Sequence, residues 1–405
     1  VSVAEKLKNK DVIHWVRNDQ RVSDHEIFSN IESFNSVSAF YIFDEKYNTL
    51  HPLDFPLIGQ FRKQFLKESL DELSANLKHK GVDFNIFTSI SEFQESKIYL
   101  NRNLTYLKQY GTEELDVEAK VLNIAGQGVA LDNFTLVDKT QLPFSLIKLP
   151  DVFTAFRNKV EKYGAYQSPI GYPFVPNGKE TYQLQGGETA ALSRIKNYFW
   201  ESKNLSNYKE TRNGLLGTNY SSRLSPWLAN GNISARSVYT FVKQYEEQIE
   251  SNDSTYWLVF ELLWRDFFQL QLQKNGASFF KITGTQNKAI NYRNNDKAFY
   301  KWANGETQDD FVNANMKELA ATGWMSNRGR QNVASYLIHD LGINWTWGAA
   351  WFESLLLDYD PASNWGNWMY IAGVGNDPRP FRKFNTKMQA ERYDPTREYT
   401  NLWNT

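Results

Sequence analysis

Four segments in the C-terminal half of the chain hold polar residue types at spacings that suit ligand chemistry better than packing. Residues 208–225 read YKETRNGLLGTNYSSRLS, and Ser225 followed by Pro226 makes a serine cap with a first-turn proline. Ser221, Ser222 and Ser225 beside a helix N-terminus, with Arg212 and Arg223 near, suit a phosphate or pyrophosphate, although an ordinary capped helix would read the same way. Residues 257–272, WLVFELLWRDFFQLQL, place Glu261 and Arg265 four apart, the spacing of a helical ion pair. Apolar residues surround that helix, so at least one of the two charges should face an interior or a cavity, where a carboxylate needs a partner. A buried ion pair in the core is the plainer alternative. On 324–341, Asn327, Arg330, Gln331 and Ala334 share one helical face, and amide and guanidinium groups there would bind a planar heterocycle. His339, two turns on, has no second His or Cys to form a metal set and reads as structural. Residues 355–370, LLLDYDPASNWGNWMY, put Asp358 and Asp360 at a turn before Pro361. Carboxylates two apart on a turn rarely flank one glycosidic bond, so Arg330 is the expected partner of one of them. Trp345, Trp347, Trp365 and Trp368 gather in this region; each alone reads as core, and the set reads as stacking or electron passage.

The elements that must position these residues fall into two kinds. Ranges 11–16, 37–43 and 82–88 are short, apolar and rich in β-branched or aromatic residues, with 103–106 and 129–137 as weaker fourth and fifth strands. Between them, 61–80 has helical spacing and ends at Gly81. The alternation implies an α/β N-terminal domain over 1–137 with a doubly wound, parallel, five-stranded sheet. No G-x-G-x-x-G follows the first strand, so the usual dinucleotide reading lacks its key. Prolines 143, 150, 169, 173 and 176 and glycines 164, 171, 178, 186 and 187 mark 138–195 as a connector. Residues 196–405 then read as a larger all-α domain, with helices from Ser234 to about Glu250, from Ser254 through Lys274, and from Trp324 to Leu341.

Composition narrows the function. The chain has 405 residues and a net charge of −1, and it lacks cysteine, which excludes disulfides, thiolate nucleophiles and Cys-based metal sites. Residues 1–130 carry 15 basic and 19 acidic side chains, so only the C-terminal part leans basic, and locally at most. No run approaches a membrane span and no signal peptide opens the chain, so a cytoplasmic, membrane-free monomer without a metal is expected.

Together these segments resemble the photolyase/cryptochrome family, and within it the DASH cryptochrome branch, which is similar to single-strand-specific DNA photolyases. The resemblance rests on WVRNDQRVSDHEIFS, FDEKY, EELDVE, LPDVFTAFR, YKETRNG, SSRLSPWLA, FELLWRDFF, TGWMSNRGRQN and LLDYDPASNWGNWMY with AGVGNDPR, in family order along essentially the whole chain. It implies that the all-α domain binds a folded FAD. Tyr208, Ser221, Ser222 and Ser225 would hold its phosphates with Arg265 nearby, and Asn327, Arg330, Asp358, Asp360 and Asn364 would surround its ring. It also implies light-driven repair of cyclobutane pyrimidine dimers in damaged, mainly single-stranded DNA. Excited reduced FAD would lend an electron to a flipped-out dimer and regain it after the ring splits. Glu261 would serve the dimer carbonyls, Trp264 and Tyr370 would stack on it, Gln331 would touch it, and Arg212 would approach the flanking phosphate. Asn327 and Asn364 join Glu261 and Trp264 in the catalytic set.

A sister branch that repairs (6-4) photoproducts carries His where this chain has Asn327 and Gln331, so that reaction is not expected. Trp368 and Trp345 match the proximal and middle positions of the family's electron relay, but its distal position is Tyr292, with Trp302 or Trp347 as substitutes. A methenyltetrahydrofolate antenna, with Glu113 as a contact, is a further implication. The competing readings are a blue-light photoreceptor signalling to a partner and a light-independent flavin or RNA-binding protein. The short segment after the YDP at 393–395 is expected of a repair enzyme rather than of a tailed sensor, and Glu261 with Asn364 argues against the light-independent reading.

Overall fold

The computed structural model describes residues 2–171, 184–379 and 382–405. Pro173, Pro176 and Gly178 of the expected connector lie outside the described residues. Five short strands, β1 (Asp11–Trp15), β2 (Ser36–Ile42), β3 (Asp83–Phe87), β4 (Asn103–Leu107) and β5 (Gly128–Leu131), form a wholly parallel sheet in the order β3-β2-β1-β4-β5. Successive residues of β1 serve opposite faces: Val12 packs with Ala39, Leu73 and Leu77, while Ile13 and Trp15 pack with Phe40, Phe93 and Val121. Burial of both faces is what a parallel sheet requires, and it accounts for the near-continuous apolar runs. The first long helix is Gln60–His79, and Gly81 follows it at φ +72°, a conformation that glycine adopts without strain. The fifth strand ends at Leu131, short of the expected 137, because the chain there turns toward the helical half, where Val137 enters that half's core.

The stretch read as a connector carries two helices, Phe153–Tyr163 and Glu188–Ile195, whose buried faces join the helical cores. Asp253–Asn275 is the central helix of that half and packs against Pro361–Ala372, Ala235–Gln248 and Phe153–Tyr163. Its cap is Asn252 rather than Ser254: the Asn252 side chain accepts from the backbone of Ser254 (2.8 Å) and Thr255 (3.1 Å), whereas Ser254 donates to Glu210 (2.8 Å). The helix expected from Trp324 begins at Asn327, because Ser326 caps it through the Gly329 N–H (3.0 Å). It runs to Ser335 and continues as a π-turn over Tyr336–Asp340. The helix that Ser234 caps, Ala235–Gln248, ends two residues before Glu250.

The two halves are clasped by the loop after β1. Asn18 donates to the Ala229 carbonyl (2.7 Å), Arg21 to the Gly231 carbonyl (3.0 Å), and Glu188 accepts from the backbone of Val22 and Ser23 (2.8 and 3.0 Å). Buried Asp24 accepts from Arg236 Nε at 2.8 Å through both oxygens, and from Ser234 and Ser237. Gly231 sits at φ +74° directly on the Asn18 backbone, where any Cβ would collide. No helix among the described residues is long and apolar enough to cross a membrane.

Candidate functional site

A cavity of about 570 Å³ opens in the helical half, within the size range of small-molecule and cofactor pockets. All four polar segments reach it: Tyr208 and Arg212, the Ser221–Ser222–Ser225 turn, Glu261 with Trp264 and Arg265, Asn327 with Arg330 and Gln331, and Asp358, Asp360, Asn364, Trp368 and Tyr370. Chain regions as far apart in sequence as Tyr208 and Tyr370 thus converge on one volume, which is what a ligand site built on rigid helices needs.

The serine turn is organised by a residue that sequence reasoning missed. Buried Arg194 donates to the carbonyls of Thr218 (2.8 Å), Ser221 (2.9 Å) and Ser222 (2.8 Å). Those carbonyls are therefore satisfied by Arg194, in a turn whose Ser221 and Ser222 line the cavity. Ser225 is not a side-chain cap here; it begins the short helix Ser225–Asn230 and donates to Asp358 Oδ2 (2.7 Å). Asp358 in turn receives a forked pair from Arg330 (3.0 and 2.9 Å), while Arg330 Nε donates to the Met325 carbonyl (2.9 Å). Ser225, Asp358 and Arg330 are one hydrogen-bonded chain, as the sequence expects for the last two. Asp360 caps Pro361–Ala372 through the Ser363 N–H (2.9 Å) and accepts from Gln269 (2.7 Å), so its charge is spent on positioning that helix. Asn364, one turn along, donates to the Ala349 carbonyl (2.9 Å), which fixes its amide and leaves the carbonyl oxygen as its available group.

The mouth is aromatic and carries one ion pair. Trp264 stacks on Phe153 with ring centroids 3.7 Å apart and meets Tyr370 edge-on at 5.9 Å. Glu261 does not pair with Arg265. Its partner is Arg212, while Arg265 donates to the Phe134 carbonyl (2.8 Å) and lies over the Phe134 ring. The helical spacing misleads because both side chains find partners on other elements. Burial pushes the Glu261 carboxyl above its usual range, and the Arg212 guanidinium opposes that rise. Gln331 accepts from Arg328 (3.0 Å), and no histidine among the described residues lines the cavity.

Trp368 forms part of the wall and is packed behind by Trp302 (6.1 Å) and Phe352 (5.1 Å). Trp345 is fully buried, donates to the Ile282 carbonyl (2.9 Å) and lies on the same helix as Gly348, on which Trp368 rests. Tyr292 packs against the same core, and its hydroxyl has no partner among the described residues. Glu113 is remote from the cavity, exposed and paired with Lys46. His339 is tied to the Ile371 carbonyl (3.0 Å).

One cluster escaped the sequence reading. His14 and His25 both meet Asp19 through Nε2 (2.9 and 3.2 Å), buried beneath the clasp. His14 Nδ1 pairs with Thr105 (2.9 Å), and His25 Nδ1 accepts from the Ile27 and Phe28 N–H groups. Burial pushes the His25 imidazole down to about 4, so that ring is neutral. Every ring nitrogen is already used, and the cluster therefore serves the loop that clasps the two halves.

Comparison with known proteins assigns this architecture. The model described as "FAD binding domain of DNA photolyase" matches residues 257–404, and "DNA photolyase" matches 12–173. A cryptochrome DASH of Synechocystis sp. is 42% identical over 97% of this chain and 87% of that protein, and one of Danio rerio is 40% identical over 98% and 83%. The crystal structure of a Synechocystis sp. cryptochrome superposes with a TM-score of 0.88 at 40% identity, covering 97% of this chain and 88% of that one. A class III photolyase from Agrobacterium tumefaciens gives 0.80 at 27% identity, covering 100% and 88%. The residues present fit FAD: the serine turn lines the cavity with its carbonyls tied to Arg194, Arg330 and Asp358 form a forked hydrogen-bonded pair, and Asn364 is fixed by the Ala349 carbonyl with its own oxygen left over. A parallel α/β domain clasped to a helical FAD-binding domain, with those matches over nearly its whole length, makes this chain a member of the photolyase/cryptochrome family, in its cryptochrome DASH branch.

Proposed function

We propose that the protein repairs cyclobutane pyrimidine dimers in DNA, mainly single-stranded, under light. One observation carries the reading: a single cavity joins an anion-suited serine turn to a mouth where a carboxyl, a guanidinium and an open aromatic pair stand together. Bound FAD would supply light absorption and one-electron chemistry. The residues would do the rest. Tyr208, Ser221 and Ser222 would hold the phosphates. Arg330 with Asp358, Asn327 and Asn364 would orient the ring system. Trp264 and Tyr370 would take the flat faces of two bases extruded from the strand, as enzymes of this type require. Glu261 would place a hydrogen bond or proton at the base carbonyls, and Gln331 with Arg328 would border the opening. A cavity without histidine favours the dimer over the (6-4) lesion. A folate antenna at Glu113 would first have to exchange the Lys46 pair.

The test is illumination of the reduced, FAD-loaded protein with dimer-containing oligothymidine, following the return of thymine absorbance. Recovery on single strands, lost or slowed about 10²-fold or more in Glu261→Ala with FAD retained, is the expected result. No recovery with FAD bound and reduced would favour the second reading, a light receptor acting on a partner, which the cryptochrome names of the relatives also suggest.

A further inference from the structure

Glu261 and Arg212 come from different elements, Arg212 from just after the helix Tyr208–Thr211 and Glu261 from the middle of Asp253–Asn275, and they meet across the cavity mouth. Each retains some exposure, 20% for the Arg212 side chain and 29% for Glu261. The Arg212 guanidinium also stands 5.6 Å from the Trp257 ring, and Lys209 lies 5.0 Å from the same ring, so two cations flank one indole on the rim. Arg328 adds a third cation nearby, held by Gln331 (3.0 Å) and Asn213 (3.2 Å). This is the place on the rim where a strand phosphate would settle, because arginine binds phosphate as readily as carboxylate.

Resting on the proposed function's reading that a strand enters this mouth, we propose that Arg212 is a positioning residue. It keeps Glu261 ionised in the free protein and gives it up to a phosphate on binding, so that strand binding loads a proton onto Glu261. Among the described residues, the surroundings leave the carboxylate no other uncommitted cation: Lys209 on the rim pairs with Asp253 (2.7 Å). From the helix Tyr208–Thr211 it faces Tyr208, whose phenol burial keeps protonated. On its own helix stand Trp257, a neutral indole whose N–H also favours the ionised carboxylate, and Arg265, one turn on and committed to the Phe134 carbonyl. From the helix Asn327–Ser335, Arg328 is committed to Gln331 and Asn213. Burial already favours the neutral carboxyl; the Arg212 guanidinium is the charge that opposes it, with the neutral Trp257 indole N–H assisting. Once the guanidinium pairs with phosphate, one proton passes from solvent to the carboxylate, leaving a neutral acid that donates a hydrogen bond toward the bases. No oxidant or other co-reactant takes part.

The test is calorimetry in darkness on the FAD-loaded protein near pH ~7, titrating oligothymidine with and without a dimer in buffers of different ionisation enthalpy. Wild type should take up a fraction approaching about one proton per strand, and Glu261→Gln should take up none while still binding. In the free proteins, Arg212→Gln should show a protonated-carboxyl infrared carbonyl band in excess of that given by other buried acids such as Glu318 in wild type, and the excess should vanish when Glu261→Gln is added. Zero uptake by wild type, equal uptake by Glu261→Gln, or no carbonyl band in excess of wild type in free Arg212→Gln would each overturn the proposal. Failure to bind either strand would overturn both this and the repair reading. Because no light is used, uptake without repair would remove the proposed reaction and leave this exchange standing, and repair without uptake would do the reverse.

Discussion

Glu318 shows what a single buried acid does to this molecule. It lies beneath the helical half and accepts a hydrogen bond from the Tyr399 hydroxyl (2.6 Å), yet burial pushes its carboxyl up to about 7. In the unfolded chain the same group titrates near 4.5, so between those values the folded state holds the extra proton. Its contribution is therefore fully present below the unfolded value and lost as pH rises through the folded one. Glu318→Gln keeps an acceptor for Tyr399 and cannot ionise. Relative to wild type it should gain up to about 3 kcal/mol between acid and mildly alkaline pH, read by denaturant melts at several pH values. Tyr292 gives a second case at this scale. A tyrosine oxidises cleanly only if its proton has somewhere to go, and this hydroxyl has no partner among the described residues. Tyr292→Trp should speed light-driven reduction of the bound flavin in the presence of a thiol, and Trp368→Phe should abolish it; unchanged bleaching in Trp368→Phe would exclude that route. Residues of this kind differ in how far the sequence reveals them. That Arg330 would pair with Asp358 or Asp360 was legible because a guanidinium on a polar helical face needs a carboxylate; which of the two was not. Arg194 was not legible, because its partners are backbone carbonyls of a distant loop, which carry no sequence signature.

Helix ends decide where those residues point. Asn252 caps the central helix in a reciprocal box with Thr255, and that helix carries Glu261, Trp264 and Arg265. Asn252→Ala should cost about 1 kcal/mol in thermal or denaturant unfolding, with the spectrum of bound FAD unchanged because Glu261, Trp264 and Arg265 lie two turns or more along the helix. Periodicity located four of the strands and the central helix to within a residue or two and overran the fifth, which ends at Leu131 instead of 137, since apolar alternation and helical spacing are local properties. It misplaced the start of the helix carrying Arg330, expected from Trp324, because the cap that sets it is Ser326. It also ran through the π-turn at Tyr336–Asp340, because one inserted residue per turn barely disturbs an apolar pattern.

At the scale of the whole molecule, the sheet domain and the helical domain act as one body through the loop after β1. Buried Asp24 is held by Arg236, Ser234 and Ser237 across a sequence gap of more than 200 residues. Asp24→Asn would leave Arg236 buried with its charge uncompensated, and it should cost about 3 kcal/mol or more in a thermal melt. A smaller loss would mean that water reaches the clasp. The motif that supplies this loop was visible in the sequence, but its task was not, because nothing local tells a residue which distant carbonyl it will meet. Gly231 sharpens the consequence. Its bare backbone is seated on Asn18, so the halves were fitted to each other atom by atom and are not interchangeable cassettes. An engineer splicing the sheet of one relative onto the helices of another should therefore transplant 225–237 along with 17–24, whatever linker is chosen for the join.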